Sequence, residues 1–325
     1  MSSRPKAMYY THATKDVYAL IAKAAGDDFE MVFLDADDDD ERTRKIADVE
    51  VVVCAVTPFK TEHIQAAKNV KVIHHQGVGW QDTTDWREIK RLDIPLAITT
   101  AGTTIGVAEH TVLLMLAAAK RLPFVDQELR DGHWHINSQR VVSREIFGKT
   151  VGYIGMGRIA QAVAERLKAF GCSGIYFDPM TALADDEAAA LGVRSGDLDD
   201  VLAAADFLTV HVPLTDGTRN LIDADAISKM KPDCIVVNTS RGGIVDEVAL
   251  ADALKAGKIL AAGLDVYEQE PPSADNPLFT LPNTVITPHI SAGTKDAMSQ
   301  KMNTLFDNLR RFFKTGELEN RVEFP

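Results

Sequence analysis

The sequence predicts an α/β protein built from parallel sheets in two domains. Three observations carry that expectation: the length, the alternation of short β-branched runs with longer amphipathic stretches, and a glycine turn set between a buried strand and a helix. The chain has 325 residues, more than a single hydrophobic core usually serves, and enough to stabilise two. Apolar residues make up 46% and charged residues 25%, the balance of an ordinary globular protein.

Runs rich in Val and Ile recur at residues 30–34, 51–56, 70–74, 150–154, 175–178, 207–212, 234–238, 260–266 and 284–287. Helix-forming stretches separate most of them, and strand then helix, repeated, is the pattern of a parallel sheet covered on both faces. Residues 107–122, VAEHTVLLMLAAAKRL, read as a nearly all-apolar helix stopped by Pro123, to be buried between layers or subunits. Residues 295–314 read as an amphipathic helix with Met298, Met302, Leu305, Leu309 and Phe312 on one face, a core stripe. The acidic run Asp37–Glu41 reads as a solvated loop or a helix start.

The formal net charge is −12, and no Lys/Arg stripe interrupts it, so nucleic acid and membrane surfaces are poor partners. The first residues lack the apolar core of a signal peptide, and no apolar stretch reaches the length of a membrane span. A cytoplasmic protein is therefore expected. Cys54, Cys172 and Cys234 are odd in number and widely spaced, which suits buried free thiols better than disulfides or a zinc cluster, and no metal is expected.

The run at 150–154 leads into Gly155-Met156-Gly157-Arg158-Ile159-Ala160 and then a helical stretch. Gly155 suits the tight turn, Gly157 lets a pyrophosphate approach the backbone at the positive helix end, and Ala160 stands where a small packing residue is needed. Asp178 ends the next strand 23 residues after Gly155, where a ribose-binding acid belongs in a dinucleotide site. Its charge opposes a 2′-phosphate, so NAD is expected in preference to NADP. The alternative is that Asp178 caps a helix beginning at Pro179.

Three polar residues follow later strands: Arg241 in NTSRGG, Glu270 in LDVYEQEPP and His289 in TPHISAG. Singly, each has a plain reading as a surface ion pair, a loop charge or a turn histidine. Jointly they supply what oxidation of an alcohol next to a carboxylate needs. His289 serves as base, Glu270 fixes its tautomer and favours the imidazolium, and Arg241 forks onto the substrate carboxylate.

GVGW at 77–80, VAEHT at 107–111, GKTVGYIGMGRIA at 148–160, VHVPLT at 210–215, VNTSRGGIVDE at 237–247, LDVYEQEPP at 264–272 and TPHI at 287–290 occur in one order. In these blocks the chain resembles the D-isomer-specific 2-hydroxyacid dehydrogenases, which include phosphoglycerate dehydrogenase and glyoxylate/hydroxypyruvate reductase. The resemblance implies two Rossmann-like domains with an active-site cleft between them. A substrate-binding domain would be built from residues 1–102 and 290–325, around an NAD-binding domain at 103–289. It implies NAD-dependent hydride transfer at C2 of a small (R)-2-hydroxy acid or 2-oxo acid, with Arg241, Glu270 and His289 catalytic. It further implies cofactor contacts from Gly155, Gly157, Arg158, Ile159, Asp178, Val212, Thr239, Ser240 and Asp265, the last to the nicotinamide carboxamide. Val78 and Gly79 would give backbone amides to the substrate beside Arg241, and the active form would be a homodimer.

The chain departs from the family pattern in two places. Gly79–Asp85 carries one extra residue and lacks the usual Asn, and Ala101-Gly102-Thr103-Thr104 stands where P-G-x-N is common. Both lie near the expected cleft, so no member's substrate transfers. Trp80 either narrows the pocket or packs in a core. Glu270, where formate dehydrogenase has glutamine, argues against formate, and no regulatory serine-binding domain is expected. A second class stays open, an NAD(H)-sensing corepressor-like scaffold with little turnover.

Overall fold

The structure is a computed structural model that describes residues 4–81 and 83–324, and every count below refers to them. Asp82, in the departing loop, lies outside the described residues. The chain divides into two compact units, one formed by residues up to Thr103 and from Thr294 onward, the other by Thr104–Gly293.

The first unit holds five parallel strands: β1 (Lys6–Tyr9), β2 (Glu30–Val32), β3 (Val51–Cys54), β4 (Val72–His75) and β5 (Leu96–Ile98), in the order β2-β1-β3-β4-β5. Strand alternation divides β3 between two cores, with Val51 and Val53 on one face of the sheet and Val52 and Cys54 on the other. The C-terminal helix Lys295–Thr315 covers the first face with Met302, Leu305 and Leu309, the stripe expected from the sequence. The acidic run begins a helix, Asp39–Ile46, whose first turn is capped by the Asp38 carboxylate accepting from the Glu41 N–H at 2.7 Å. Trp80 is buried in the second core, edge-on to Phe324 with ring centroids 5.8 Å apart; of its two readings, packing is the one realised.

The second unit holds seven parallel strands: β6 (Thr150–Ile154), β7 (Ser173–Phe177), β8 (Val193–Ser195), β9 (Phe207–Val210), β10 (Ile235–Asn238), β11 (Ala261–Leu264) and β12 (Thr284–Ile286), in the order β12-β11-β10-β9-β6-β7-β8. Strand order reverses between β6 and β9, which pair in register from Val151↔Phe207 to Ile154↔Val210. In an open parallel sheet, ligands bind outside the carboxyl ends of the strands at such a reversal.

The long apolar helix runs from Thr104 to Lys120 and lies so close to β11 that a Cβ on Gly263 would stand 2.9 Å from Leu114 Cβ. Pro123 does not stop it, contrary to expectation. The chain turns at Arg121, in the left-handed region with φ 53°, and Pro123 sits in the first turn of the next helix, Leu122–Arg130. Proline fits there because the first helical N–H groups have no partner within the helix. Cys54 and Cys234 are buried free thiols pushed up to about 12 by burial, and Cys172, also free, is half-buried. No described helix is long and apolar enough to cross a membrane.

Candidate active site

The strands of the second unit deliver the dinucleotide elements first. Gly155 leaves β6 with φ 91°, and a Cβ there would meet His211 O and Val212 Cγ1 at 2.8 Å, so the protein itself requires glycine. Gly157 differs. Its φ of −72° suits any residue, and an added Cβ would meet nothing within 4 Å. It is the exposed N-cap of the helix Arg158–Ala169, whose first turn receives no side-chain cap. Open space over uncapped N–H groups is what a pyrophosphate needs, so the residues present fit a dinucleotide. Arg158 is exposed and Ile159 half-buried in that first turn, and Ala160 is buried.

Asp178 follows β7. Its Oδ2 accepts from the Met156 N–H at 2.8 Å, and its Oδ1 from the N–H groups of Met180 and Thr181 at 2.8 and 3.0 Å. Burial pushes its carboxyl upward, but these backbone donors outweigh that and hold it below its ordinary value. No helix begins at Pro179, the next one running Asp185–Leu191, so Asp178 caps no helix; its carboxylate instead holds the bend at Met180 and Thr181 and ties it to the glycine loop. Two oxygens with further lone pairs remain able to accept from hydroxyls.

Three adjacent strands deliver the polar residues. Beyond β10, Asn238 brackets a turn, its Oδ1 accepting from Ser240 N–H at 3.0 Å and its Nδ2 donating to Arg241 O at 2.8 Å. The Ser240 hydroxyl donates to Val212 O, tying this turn to the end of β9, and Thr239 is buried with its hydroxyl 2.9 Å from that of Thr111. Both hydroxyls expected at a cofactor are thus engaged with the protein. Arg241 Nη1 donates to Ser240 O at 2.8 Å.

Beyond β11, Asp265 has no exposed surface. Its carboxylate accepts from the Thr287 hydroxyl at 2.6 Å, Ile290 N–H at 2.9 Å and Ser291 N–H at 2.8 Å, and His110 Nε2 lies 3.6 Å away. In this structure the Asp265 carboxylate is wholly engaged by these protein donors. Asp265 thereby shapes the turn carrying His289, whose φ of 52° is unusual for a residue with a Cβ. The Asp265 carbonyl also accepts the His289 N–H at 2.8 Å.

His289 Nδ1 lies 2.7 Å from Glu270 Oε2, and Glu270 Oε1 accepts the Tyr267 N–H at 3.1 Å. Burial raises the Glu270 carboxyl. Its hydrogen bond and charge interaction with His289, the Tyr267 amide and the Arg241 guanidinium together lower it further, and it stays ionised. A carboxylate can only accept, so Nδ1 carries the proton and Nε2 is left for a substrate oxygen. Both side chains are about one-third exposed, 32% for His289 and 37% for Glu270, as residues meeting a ligand should be.

The structure brings Arg241, Glu270 and His289 together at the ends of neighbouring strands, and Gly155, Gly157 and Asp178 across the strand-order reversal in the same unit. Val78 and Gly79 belong to the first unit, in the loop after β4, with Val78 exposed. Sequence reasoning missed Asn238, Gly242, Thr287 and His110, which shape the site. Only the paired glycines in SRGG hinted at a close backbone approach.

Residues 112–291 match the D-isomer specific 2-hydroxyacid dehydrogenase NAD binding domain. The chain is 42% identical over 275 residues to a D-3-phosphoglycerate dehydrogenase of Archaeoglobus fulgidus, covering 85% of this chain and 51% of the relative. It is 40% identical over 261 residues to a hydroxypyruvate reductase of Thermotoga maritima, covering 79% and 83%. The apo-structure of D-lactate dehydrogenase from Escherichia coli superposes with a TM-score of 0.86 at 28% identity, covering 98% and 99%. A doubly wound nucleotide-binding unit carrying a His–Glu pair and an arginine defines the class as an α/β oxidoreductase fold. The chain belongs to the D-isomer specific 2-hydroxyacid dehydrogenase family. It spans about half the length of the curated D-3-phosphoglycerate dehydrogenases it matches.

Proposed function

We propose that the protein catalyses NAD-dependent hydride transfer between nicotinamide and C2 of a small (R)-2-hydroxy acid or the matching 2-oxo acid. The observation that carries this reading is the 2.7 Å contact between His289 Nδ1 and Glu270, which leaves Nε2 to exchange a proton with the substrate oxygen. NAD, when bound, supplies or takes the hydride. Gly155, Gly157 and the first turn of Arg158–Ala169 would hold its pyrophosphate, and Asp178 its ribose hydroxyls. In the reductive direction, His289 Nε2–H donates its proton to the oxygen of the former carbonyl. Glu270 stabilises the charged imidazole beforehand, and Arg241 fixes the substrate carboxylate by two parallel N–H donors.

Relatives named hydroxypyruvate reductase and glyoxylate reductase support short 2-oxo acids as the substrate class. A panel of such acids with NADH tests the reading. Turnover of at least one at several per second supports an enzyme. Tight NADH binding with negligible turnover across the panel leaves a nucleotide-sensing scaffold instead.

We propose too that the protein acts as a homodimer in the cytosol, with free thiols suiting a reducing compartment. Ile105 and Leu113 are each about half exposed on the Thr104–Lys120 helix, as are Leu122 and Leu129 on the next one, apolar surface suited to a second copy. Light scattering with Leu113→Glu tests this: the wild type should have twice the mass of one chain, and the variant should dissociate.

A further inference from the structure

Away from the dehydrogenase residues, the end of helix Leu122–Arg130 folds back on itself. The chain turns at Gly132, with φ 88°, and the His133 N–H donates to Glu128 O at 2.8 Å. This return brings two imidazoles onto one carboxylate oxygen. Glu128 Oε2 lies 3.0 Å from His133 Nδ1 and 2.7 Å from His135 Nε2, and the three donor atoms all lie within 4.8 Å of one another.

We propose that Glu128, His133 and His135 form a binding site for one divalent first-row transition-metal ion of the Zn2+ type. Two imidazoles and a carboxylate are ligands such ions accept, at about 2.0–2.2 Å each, whereas Mg2+ and Ca2+ prefer all-oxygen sets. An ion at those distances needs ligand atoms roughly 3.3 Å apart in tetrahedral geometry. The cluster reaches that spacing by opening its two short contacts by a few tenths of an ångström, while the two imidazole nitrogens, within 4.8 Å of each other, adjust to the same separation.

The surroundings suit the role. Ser138 Oγ donates to His135 O at 3.0 Å and stands 3.3 Å from His135 Nδ1. With its own proton so placed, the hydroxyl can accept from Nδ1–H once Nε2 gives up its proton to bind the ion, the outer-shell arrangement common around metal-bound imidazoles. The Phe124 ring packs 5.6 Å from the His135 ring and limits its rotation. Glu128, His133 and His135 side chains are 27%, 62% and 34% exposed, so solvent can reach the ion and a water can complete its shell. The spacing Glu-x4-His-x-His carries the signal in sequence, and the cysteine-based expectation of no metal passed over it. Bound there, the ion would clamp the last helical turn to the segment after it.

The test uses the full chain without a purification tag, in metal-free buffer. Trp134, between the two histidines, is 76% exposed, whereas Trp80 is buried and Trp86 is half-buried and stacked on Phe324, both in the first unit, so Ni2+ or Co2+ binding should quench mainly Trp134. Calorimetry with Zn2+ should show one saturable ion per chain at micromolar concentration and a rise in unfolding temperature. His135→Ala and Glu128→Gln should weaken binding at least about tenfold, the effect expected even of outer-shell losses, while unfolding of the metal-free variants stays close to wild type. Trp134→Phe should abolish most quenching yet retain the calorimetric binding. Absence of saturable Zn2+ binding at about a hundred times that concentration, or binding undiminished in both His133→Ala and His135→Ala, overturns the proposal. Neither result bears on 2-oxo acid turnover.

Discussion

A methyl group on Gly242 would stand 1.9 Å from the carbonyl carbon and oxygen of Tyr267 and 2.4 Å from the Glu268 nitrogen. The loop carrying Arg241 therefore crosses directly against the loop that leads to Glu270. Backbone on both sides leaves no side chain to yield. Gly242→Ala should destabilise the second unit by about 1–3 kcal/mol or more, the usual range for overpacking, and lower kcat together with the unfolding temperature. Thermal unfolding and steady-state rates check this; a variant that matches wild type in both would show that the crossing can relax.

Asp178→Ala should relax the preference for NADH over NADPH, because the carboxylate that would oppose a 2′-phosphate is gone. The preference has a pH dependence of known sign. The folded carboxyl lies below its ordinary value, so its ionised form is present through neutral and mildly acid pH and disappears only as pH falls through that lowered value. Competitive calorimetry with the two nucleotides should show a steady preference down to the ordinary carboxylate range. Equal or tighter NADPH binding by the wild type would remove Asp178 from the ribose.

Asp265→Ala strands the N–H groups of Ile290 and Ser291 and leaves the Thr287 hydroxyl with only His110 and the Leu264 carbonyl. An unsatisfied buried donor costs about 1–3 kcal/mol, so the variant should unfold earlier and lose kcat as the His289 turn loosens. Retention of full activity with lowered stability would separate the turn from the chemistry.

Arg241→Lys should raise KM for the 2-oxo acid and lower kcat, since an ammonium is a point charge that cannot fork onto a carboxylate. The affinity for NADH, measured without substrate, should stay near wild type. An unchanged KM would place the carboxylate elsewhere.

Much of this was legible in the sequence for a physical reason: buried parallel strands are continuous β-branched runs, and β6, β9 and β10 are such runs. Three strands escaped notice. β5 is three residues long, β8 buries only Val193, and β1 begins at a lysine beside the polar first residues. The end of the Thr104–Lys120 helix was misplaced because proline after an apolar run marks either a stop or the first turn of a new helix, and here it is the latter. Strand-end positions and family resemblance pointed to His289 and Glu270, which are 19 residues apart. Nothing local distinguishes Asp265, whose partners lie more than twenty residues onward, from an exposed carboxylate, and Gly242 is constrained by Tyr267 in a different loop.

The central claim is that His289, held by Glu270, moves the substrate proton, and kcat for 2-oxo acid reduction by His289→Ala and Glu270→Gln, measured beside their NADH affinities, tests it most directly. His289→Ala should lose about 10²–10⁴-fold in kcat, the range for a general acid–base group, with NADH binding intact. Glu270→Gln should also lower kcat, because a neutral amide no longer supplies the charge that accepts from the ring Nδ1–H. Most activity kept by both variants would contradict the account.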